Sequence, residues 1–81
     1  MNNWVIYIVR CSDKSLYTGI TKNIERRIDE HNNGKVGAIY TRARRPVKLV
    51  YTESCKTRSD AAKREIEIKK LCKKEKELLL C

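Results

Sequence analysis

The stretch WVIYIVRCSDKSLYTGI, residues 4–20, decides the fold of this chain. Its first part, Trp4 to Arg10, is rich in β-branched and aromatic residues, which predicts a β-strand. Residues 12–15 have the composition of a turn, and Leu16 to Ile20 is typical of a second strand. The stretch therefore predicts a β-hairpin near the start of the chain.

A helix and a third strand are predicted to follow the hairpin. We expect Thr21 to cap a helix that runs from about Lys22 to Asn33 and ends at Gly34. Residues 35–46 are basic and predict a loop, since they close on a proline. Val47 to Thr52 again has the composition of a strand.

The rest of the chain is predicted to be helical. Thr57 or Ser59 is expected to cap a second helix to about Cys72, and a short last helix is expected from Lys73 to Leu80. The order ββαβα(α) predicts an α/β (α+β) fold, with a three-stranded, mainly antiparallel sheet flanked by helices. At 81 residues, we expect a single domain, 1–81.

The charge of the chain favours an anionic partner. Lys and Arg total 19 against 10 acidic residues, which gives a formal net charge of +9. Such an excess indicates nucleic acid first, and an acidic membrane or acidic protein second. A basic protein with no nucleic-acid role is the alternative that charge alone leaves open.

Membrane insertion, secretion and a zinc site are not expected. The longest apolar stretch, Trp4 to Val9, is too short to span a bilayer, and the N-terminus lacks the pattern of a signal peptide. We therefore expect a cytoplasmic protein. Its four cysteines include no Cys-x-x-Cys pair and there is one histidine, so we expect reduced thiols with a structural role.

Two polar residues of the first predicted helix lie where apolar ones are expected. Ile24 and Ile28 define its buried stripe, and Arg27 and His31, four residues apart, fall on or beside that stripe. Glu30, by contrast, falls on the solvated side. A buried arginine needs an anionic partner, which is either an internal carboxylate or a phosphate. The sequence leaves both open, together with a histidine that merely packs in the core.

The second predicted helix has the same anomaly at Glu65. Arg64 and Glu67 point away from its apolar arc, which comprises Ala61, Ala62, Ile66, Ile68 and Cys72. A carboxylate within such an arc indicates either an ion pair, for which Arg27 is the candidate, or a metal ligand. If both helices offer charged groups to the same face of the sheet, they build an active site.

The strands add Tyr7 and Tyr17, which a hairpin can place on one face as neighbours. Packing alone also explains them, since tyrosine is common in strands. Gly19, inside the second strand, often marks the close approach of another backbone, where a phosphate chain has room to lie.

These features together resemble the GIY-YIG nuclease superfamily, in particular its small stand-alone members. The first signature element is similar to Val5-Ile6-Tyr7, and the second is similar to Tyr17-Thr18-Gly19. Residues 23–27, with His31 one turn later, resemble the Asn-x-x-x-Arg stretch of the family. Glu65 with Ile68-Lys69-Lys70 resembles its Glu-x-x-Ile-Lys segment.

The resemblance implies a role for each of five residues. Tyr17, or Tyr7 acting with it, would take a proton from the attacking water, and Arg27 would hold the scissile phosphate. His31 would assist proton transfer or phosphate positioning. Glu65 would hold one divalent metal, Mg²⁺ or Mn²⁺.

The leading function is a metal-dependent endonuclease on DNA, with structured, damaged or branched duplex as the substrate and DNA repair as a fitting role. We expect DNA rather than RNA, without excluding RNA. The alternatives are a catalytically weak nucleic-acid-binding module with the same fold, and a protein that binds an acidic protein partner. The residues expected to bind nucleic acid lie in the basic loop: Lys35, Tyr40, Arg42, Arg44 and Arg45.

Overall fold

Three strands form one antiparallel sheet in a computed structural model of the protein, which describes residues 3–34, 41 and 43–80. The strands are β1 (Trp4–Arg10), β2 (Leu16–Thr21) and β3 (Lys48–Cys55). Their order is β2-β1-β3, and β1 pairs antiparallel with both neighbours. The predicted sheet is therefore confirmed, and of the two hairpin strands β1 is central and β2 lies at one edge.

Within the described ranges, three helices complete the fold. They are α1 (Ile24–Asn33), α2 (Arg58–Lys69) and α3 (Lys73–Leu79). The order ββαβαα matches the prediction. None of the helices among these residues is long and apolar enough to cross a membrane.

The start of α1 differs from the prediction, because Asn23 and not Thr21 caps the helix. The Asn23 side chain accepts a hydrogen bond from the backbone N–H of Arg26 at 3.0 Å. Thr21 belongs to β2, and its hydroxyl accepts from the backbone N–H of Asn23 at 3.1 Å. Both residue types are good caps, so composition alone could not choose between them.

Two further boundaries are corrected. β3 extends to Cys55, three residues beyond the predicted end, because it pairs with the whole of β1 and Cys55 lies opposite Trp4. α2 is capped by Thr57, one of the two predicted candidates, whose hydroxyl accepts from the Asp60 N–H at 3.1 Å. This helix ends at Lys69 and not at Cys72.

The two long helices cover opposite faces of the sheet. Ile6 and Ile8 of β1 form one core cluster with Ala61 and Ile68 of α2. The alternate residues Tyr7 and Val9 form a second cluster, against which Ile24 and Ile28 of α1 pack. Because neighbouring side chains of a strand point to opposite faces, α1 and α2 pack on different faces of the sheet, and the possibility that both helices serve one face is not realised by their packing.

The apolar arc of α2 is also narrower than predicted, because Ile66 is 53 % exposed and Cys72 is exposed. Arg64, expected to be an ordinary surface residue, forms an ion pair with Glu53 of β3 at 3.0 Å. This pair ties α2 to the far edge of the sheet. The cysteines that the structure describes, Cys11, Cys55 and Cys72, are free thiols.

Candidate active site

Tyr7 is buried in the centre of β1, with 1 % of its surface exposed. It lies opposite Gly19 in the register of the two strands, and its ring crosses that glycine. A Cβ atom on Gly19 would lie 2.5 Å from the Tyr7 hydroxyl oxygen. The glycine therefore makes room for a tyrosine ring, and the expectation that it admits another backbone is wrong.

His31 is fully buried and connects Tyr7 to Thr41. Its Nε2 lies 2.7 Å from the Tyr7 hydroxyl, and its Nδ1 lies 2.7 Å from the Thr41 hydroxyl. The ring meets those of Tyr7 and Tyr17 edge-on, with centroids 5.7 Å and 5.3 Å apart. Burial, and next the charge of Arg27, lower the pKa of His31 from 6.5 to about 4, so the ring is neutral at pH 7.

Arg27 reaches the same cluster from α1. Its Nε donates to the Tyr7 hydroxyl oxygen at 3.3 Å, and its Nη1 pairs with the Glu30 carboxylate at 3.0 Å. Glu30 was expected to be solvated, but only 24 % of its side chain is exposed. The helix turns it toward Arg27 three residues earlier, a spacing that puts two side chains on one face. An internal carboxylate thus accompanies the half-buried arginine.

Glu65 stands on α2, with 21 % of its side chain exposed. Its ion pair is with Lys69, 3.5 Å away across one helical turn, and not with Arg27. Burial is the main cause that raises the pKa of Tyr7, and the Glu65 charge adds to it. The carboxylate therefore lies within electrostatic range of the phenol, on a helix that packs against the sheet.

The structure thus brings Tyr7, Tyr17, Arg27 and His31 into direct contact, whereas Glu65 comes from the helix on the other face of the sheet and acts on Tyr7 through its charge. Thr41 is a member of this cluster that the sequence analysis missed. It sits in the stretch expected to be a loop, where no periodic pattern indicates which residues are buried. A neutral hydroxyl carries no charge anomaly that could reveal it.

The side chains near this cluster determine whether a divalent metal could bind there. Among residues 3–34, 41 and 43–80, no group of three or more His, Cys, Asp or Glu side chains converges on a metal position. Mg²⁺ usually keeps several waters and binds one or two carboxylates together with substrate phosphates. Glu65 fits such a site as its single protein carboxylate, with the remaining positions left to water and phosphate.

Two of the arginines expected to bind nucleic acid have partners within the protein. Arg44 pairs with Asp13 in the β1–β2 turn at 2.9 Å. Arg45 donates to backbone carbonyls at the C-terminal end of α1, namely those of Glu30, His31 and Gly34. Arg45 therefore supplies donors at a helix end, where the last carbonyls lack intrahelical partners, although the Glu30 carbonyl also accepts from the Gly34 N–H at 2.9 Å. Phosphate contact by either arginine stays a prediction.

The other residues expected to bind nucleic acid, Lys35, Tyr40 and Arg42, lie outside the described residues. Basic side chains that the structure places at the surface include two beside Trp4. Lys22 Nζ is 5.3 Å, and Arg58 Cζ 5.8 Å, from the centroid of the indole ring. These distances are those of cation–π contacts.

Comparison with known proteins defines the class to which this fold and cluster belong. Residues 3–78 match the family described as the GIY-YIG catalytic domain, and the chain belongs to that family. Domains of this class carry nuclease-type activity on DNA. The resemblance seen in the sequence is confirmed.

Particular relatives are small proteins designated UPF0213. One from Desulfotalea psychrophila is 58 % identical over 77 residues, which are 95 % of this chain and 70 % of the relative. One from Staphylococcus saprophyticus is 57 % identical over 76 residues, covering 94 % of this chain and 92 % of the relative.

Two solution NMR structures are also similar. The UPF0213 protein of Bacillus halodurans gives a TM-score of 0.62 at 44 % identity, covering 96 % of this chain and 82 % of that one. A protein from E. faecalis gives 0.65 at 43 % identity, covering 98 % and 84 %. Both likenesses support the α+β fold described above.

Proposed function

We propose that this protein is a divalent-metal-dependent endonuclease that hydrolyses phosphodiester bonds in DNA, with structured, damaged or branched duplex as its substrate class. The single observation that carries the proposal is the contact of Arg27 with the buried Tyr7–His31 pair, beside Tyr17. A chain with a net charge of +9 also favours a polyanionic substrate.

The exposure of the two tyrosines separates their roles. Tyr7 is buried and its hydroxyl already contacts His31 and Arg27, so it holds the arginine in place. Tyr17 is only partly buried, and water can approach it. Tyr17 is thus the base: its phenolic oxygen accepts a proton from the attacking water, and its own proton passes to solvent.

His31 acts through Tyr7 and not on the substrate. It is fully buried, and both of its ring nitrogens lie within hydrogen-bonding distance of protein hydroxyls. We therefore assign it a role in positioning Tyr7, which revises the role in proton transfer or phosphate positioning that the family resemblance implied. Arg27, with a quarter of its side chain exposed, binds the scissile phosphate and stabilises the charge that develops there.

Glu65 is the proposed ligand of one Mg²⁺ or Mn²⁺. When bound, such an ion polarises the phosphate and supports the leaving oxygen. Glu65 supplies a carboxylate close to the tyrosine cluster, and Lys69 partly neutralises it in the protein alone.

The expected location of the protein is the cytoplasm.

A second candidate is a nucleic-acid-binding module of low catalytic power. It is favoured by the ion pairs that already engage Arg27 with Glu30 and Glu65 with Lys69. In this reading these groups support the fold, and the basic surface alone contacts the phosphates.

A cleavage assay with matched arginine variants decides between the two. Branched, nicked, single-stranded and linear duplex DNA, and an RNA hairpin, are incubated with the protein, with and without Mg²⁺ or Mn²⁺. Arg27→Ala is compared with Arg26→Ala, whose side chain is 71 % exposed on the same helix. The proposal expects metal-dependent cleavage of DNA that Arg27→Ala abolishes and Arg26→Ala retains. Binding without cleavage by the wild type would favour the second candidate.

A further inference from the structure

Thr41 is buried beside His31, with none of its surface exposed. Its hydroxyl oxygen lies 2.7 Å from Nδ1 of the histidine. The family resemblance gave this threonine no role. Its role depends on where the protons lie in the hydrogen-bonded chain Thr41–His31–Tyr7.

Among the described residues, the Tyr7 hydroxyl contacts one group that can accept its proton. The contacts of the Tyr7 oxygen are with Arg27 Nε at 3.3 Å and His31 Nε2 at 2.7 Å. A guanidinium only donates, so Arg27 cannot accept this proton. Within the part of the chain that the structure describes, Nε2 is thus the acceptor for the phenol, and it must carry no proton of its own.

The histidine tautomer follows directly. A neutral imidazole carries one N–H, and burial keeps this ring neutral at pH 7 because its pKa is lowered to about 4. With Nε2 bare, Nδ1 carries the hydrogen. Nδ1 then donates to the Thr41 hydroxyl oxygen.

We infer that Thr41 is a positioning residue: by accepting the Nδ1–H of His31 it fixes the tautomer that takes the Tyr7 proton, and so leaves a lone pair of the Tyr7 oxygen for Arg27. The consequence is that the orientation of the phosphate-binding arginine depends on a hydroxyl three hydrogen bonds away. The tautomer rests on the contacts and the burial of His31, while its effect on cleavage rests on the proposed function.

The tautomer can be read without metal, substrate or activity, because His31 is the only histidine in the chain. Long-range ¹⁵N–¹H correlation NMR of the imidazole at pH 7 distinguishes a protonated Nδ1 from a protonated Nε2. We expect the wild type to show Nδ1–H and a bare Nε2. A protonated Nε2 in the wild type would overturn the inference, whatever any variant does.

Two substitutions at Thr41 distinguish the effect of its hydroxyl from the effect of its side-chain shape. Thr41→Val keeps the branched side chain and removes the acceptor, so the histidine should shift toward the Nε2–H form. Thr41→Ser keeps the hydroxyl and should retain the wild-type pattern. A histidine signal that Thr41→Val leaves unchanged contradicts the inference.

The kinetic consequence is measured on the same proteins with Mg²⁺ and a cleavable DNA. Thr41→Val should lower kcat by about tenfold with little change in KM, which is less than the roughly hundredfold loss that a misplacement of about 1 Å can cause. Thr41→Ser should recover most of the rate. A shifted tautomer with an unchanged kcat would refute the positioning role. If the wild type cleaves nothing while the NMR result holds, the proposed nuclease function fails, the positioning role fails with it, and the tautomer assignment stands.

Discussion

The ring of Tyr7 lies directly over Gly19, its partner on the neighbouring strand, at a distance that leaves no space for a side chain there. This relationship sets the position of the phenol against His31 and Arg27. Gly19, on the edge strand β2, thus helps to determine the geometry of the cluster, although it carries no reactive group.

Gly19→Ala should therefore disturb both stability and the cluster. The new Cβ would force the Tyr7 ring away from its hydrogen bonds, and overpacking of this kind costs about 1–3 kcal/mol. Urea unfolding measures the loss. In a Tyr7→Leu background the same change should cost clearly less, because the clashing ring is gone. Equal costs in the two backgrounds would contradict the close packing.

The buried histidine makes stability depend on pH in a defined window. The folded pKa of His31, about 4, lies below the unfolded value of 6.5, so between these values only the unfolded chain binds the proton. The free energy of unfolding should fall as pH falls through this window, by on the order of 3 kcal/mol. Charged neighbours act in both directions, since Arg27 and Arg45 lower the pKa and Glu30 raises it.

Comparison with His31→Gln isolates the contribution of His31 to the pH dependence of the unfolding free energy. Carboxylates elsewhere titrate in both proteins, so the difference in unfolding free energy between wild type and variant should shrink from pH 6.5 to pH 4. It should be constant above pH 7. A difference that stays constant across the window would show that the histidine titrates normally in the folded protein.

Arg45 should contribute more to the stability of the fold than Arg44 does. Arg45→Gln removes charged donors from the carbonyl oxygens at the end of α1, which should cost about 1.5–3 kcal/mol. Arg44→Gln breaks a partly exposed ion pair with Asp13, which should cost less than about 1 kcal/mol. Thermal unfolding of both variants checks this order, and the reverse order would contradict it.

The fold and most of the cluster could be predicted because their signals are local. The β-branched run of β1 and its polar turn predict the hairpin, and the off-pattern charge of Arg27 among apolar positions marks the site. What failed depends on tertiary contacts. The alternation of Ile6 and Tyr7 sends α1 and α2 to opposite faces, which helix periodicity alone does not reveal. The role of Thr41 depends on a partner ten residues away through an aperiodic stretch.

Glu65 is proposed to be a ligand of the metal and not a support of the fold, and the nuclease function depends on this role. Its ion pair is with Lys69, whose side chain is 52 % exposed, and such surface pairs contribute about 0–1 kcal/mol. Glu65→Gln should therefore fold normally and still bind DNA, because it keeps the volume of the side chain and removes a negative charge near the phosphate.

Lys69→Gln is the matched control, since it breaks the same ion pair from the other side while leaving the carboxylate in place. The decisive measurement is the Mg²⁺-dependent nicking rate of these two variants and the wild type, with the melting temperature taken on the same preparations. We predict that Glu65→Gln loses cleavage at an unchanged melting temperature, while Lys69→Gln cuts at close to the wild-type rate. A folded Glu65→Gln protein that nicks DNA as fast as the wild type would contradict it.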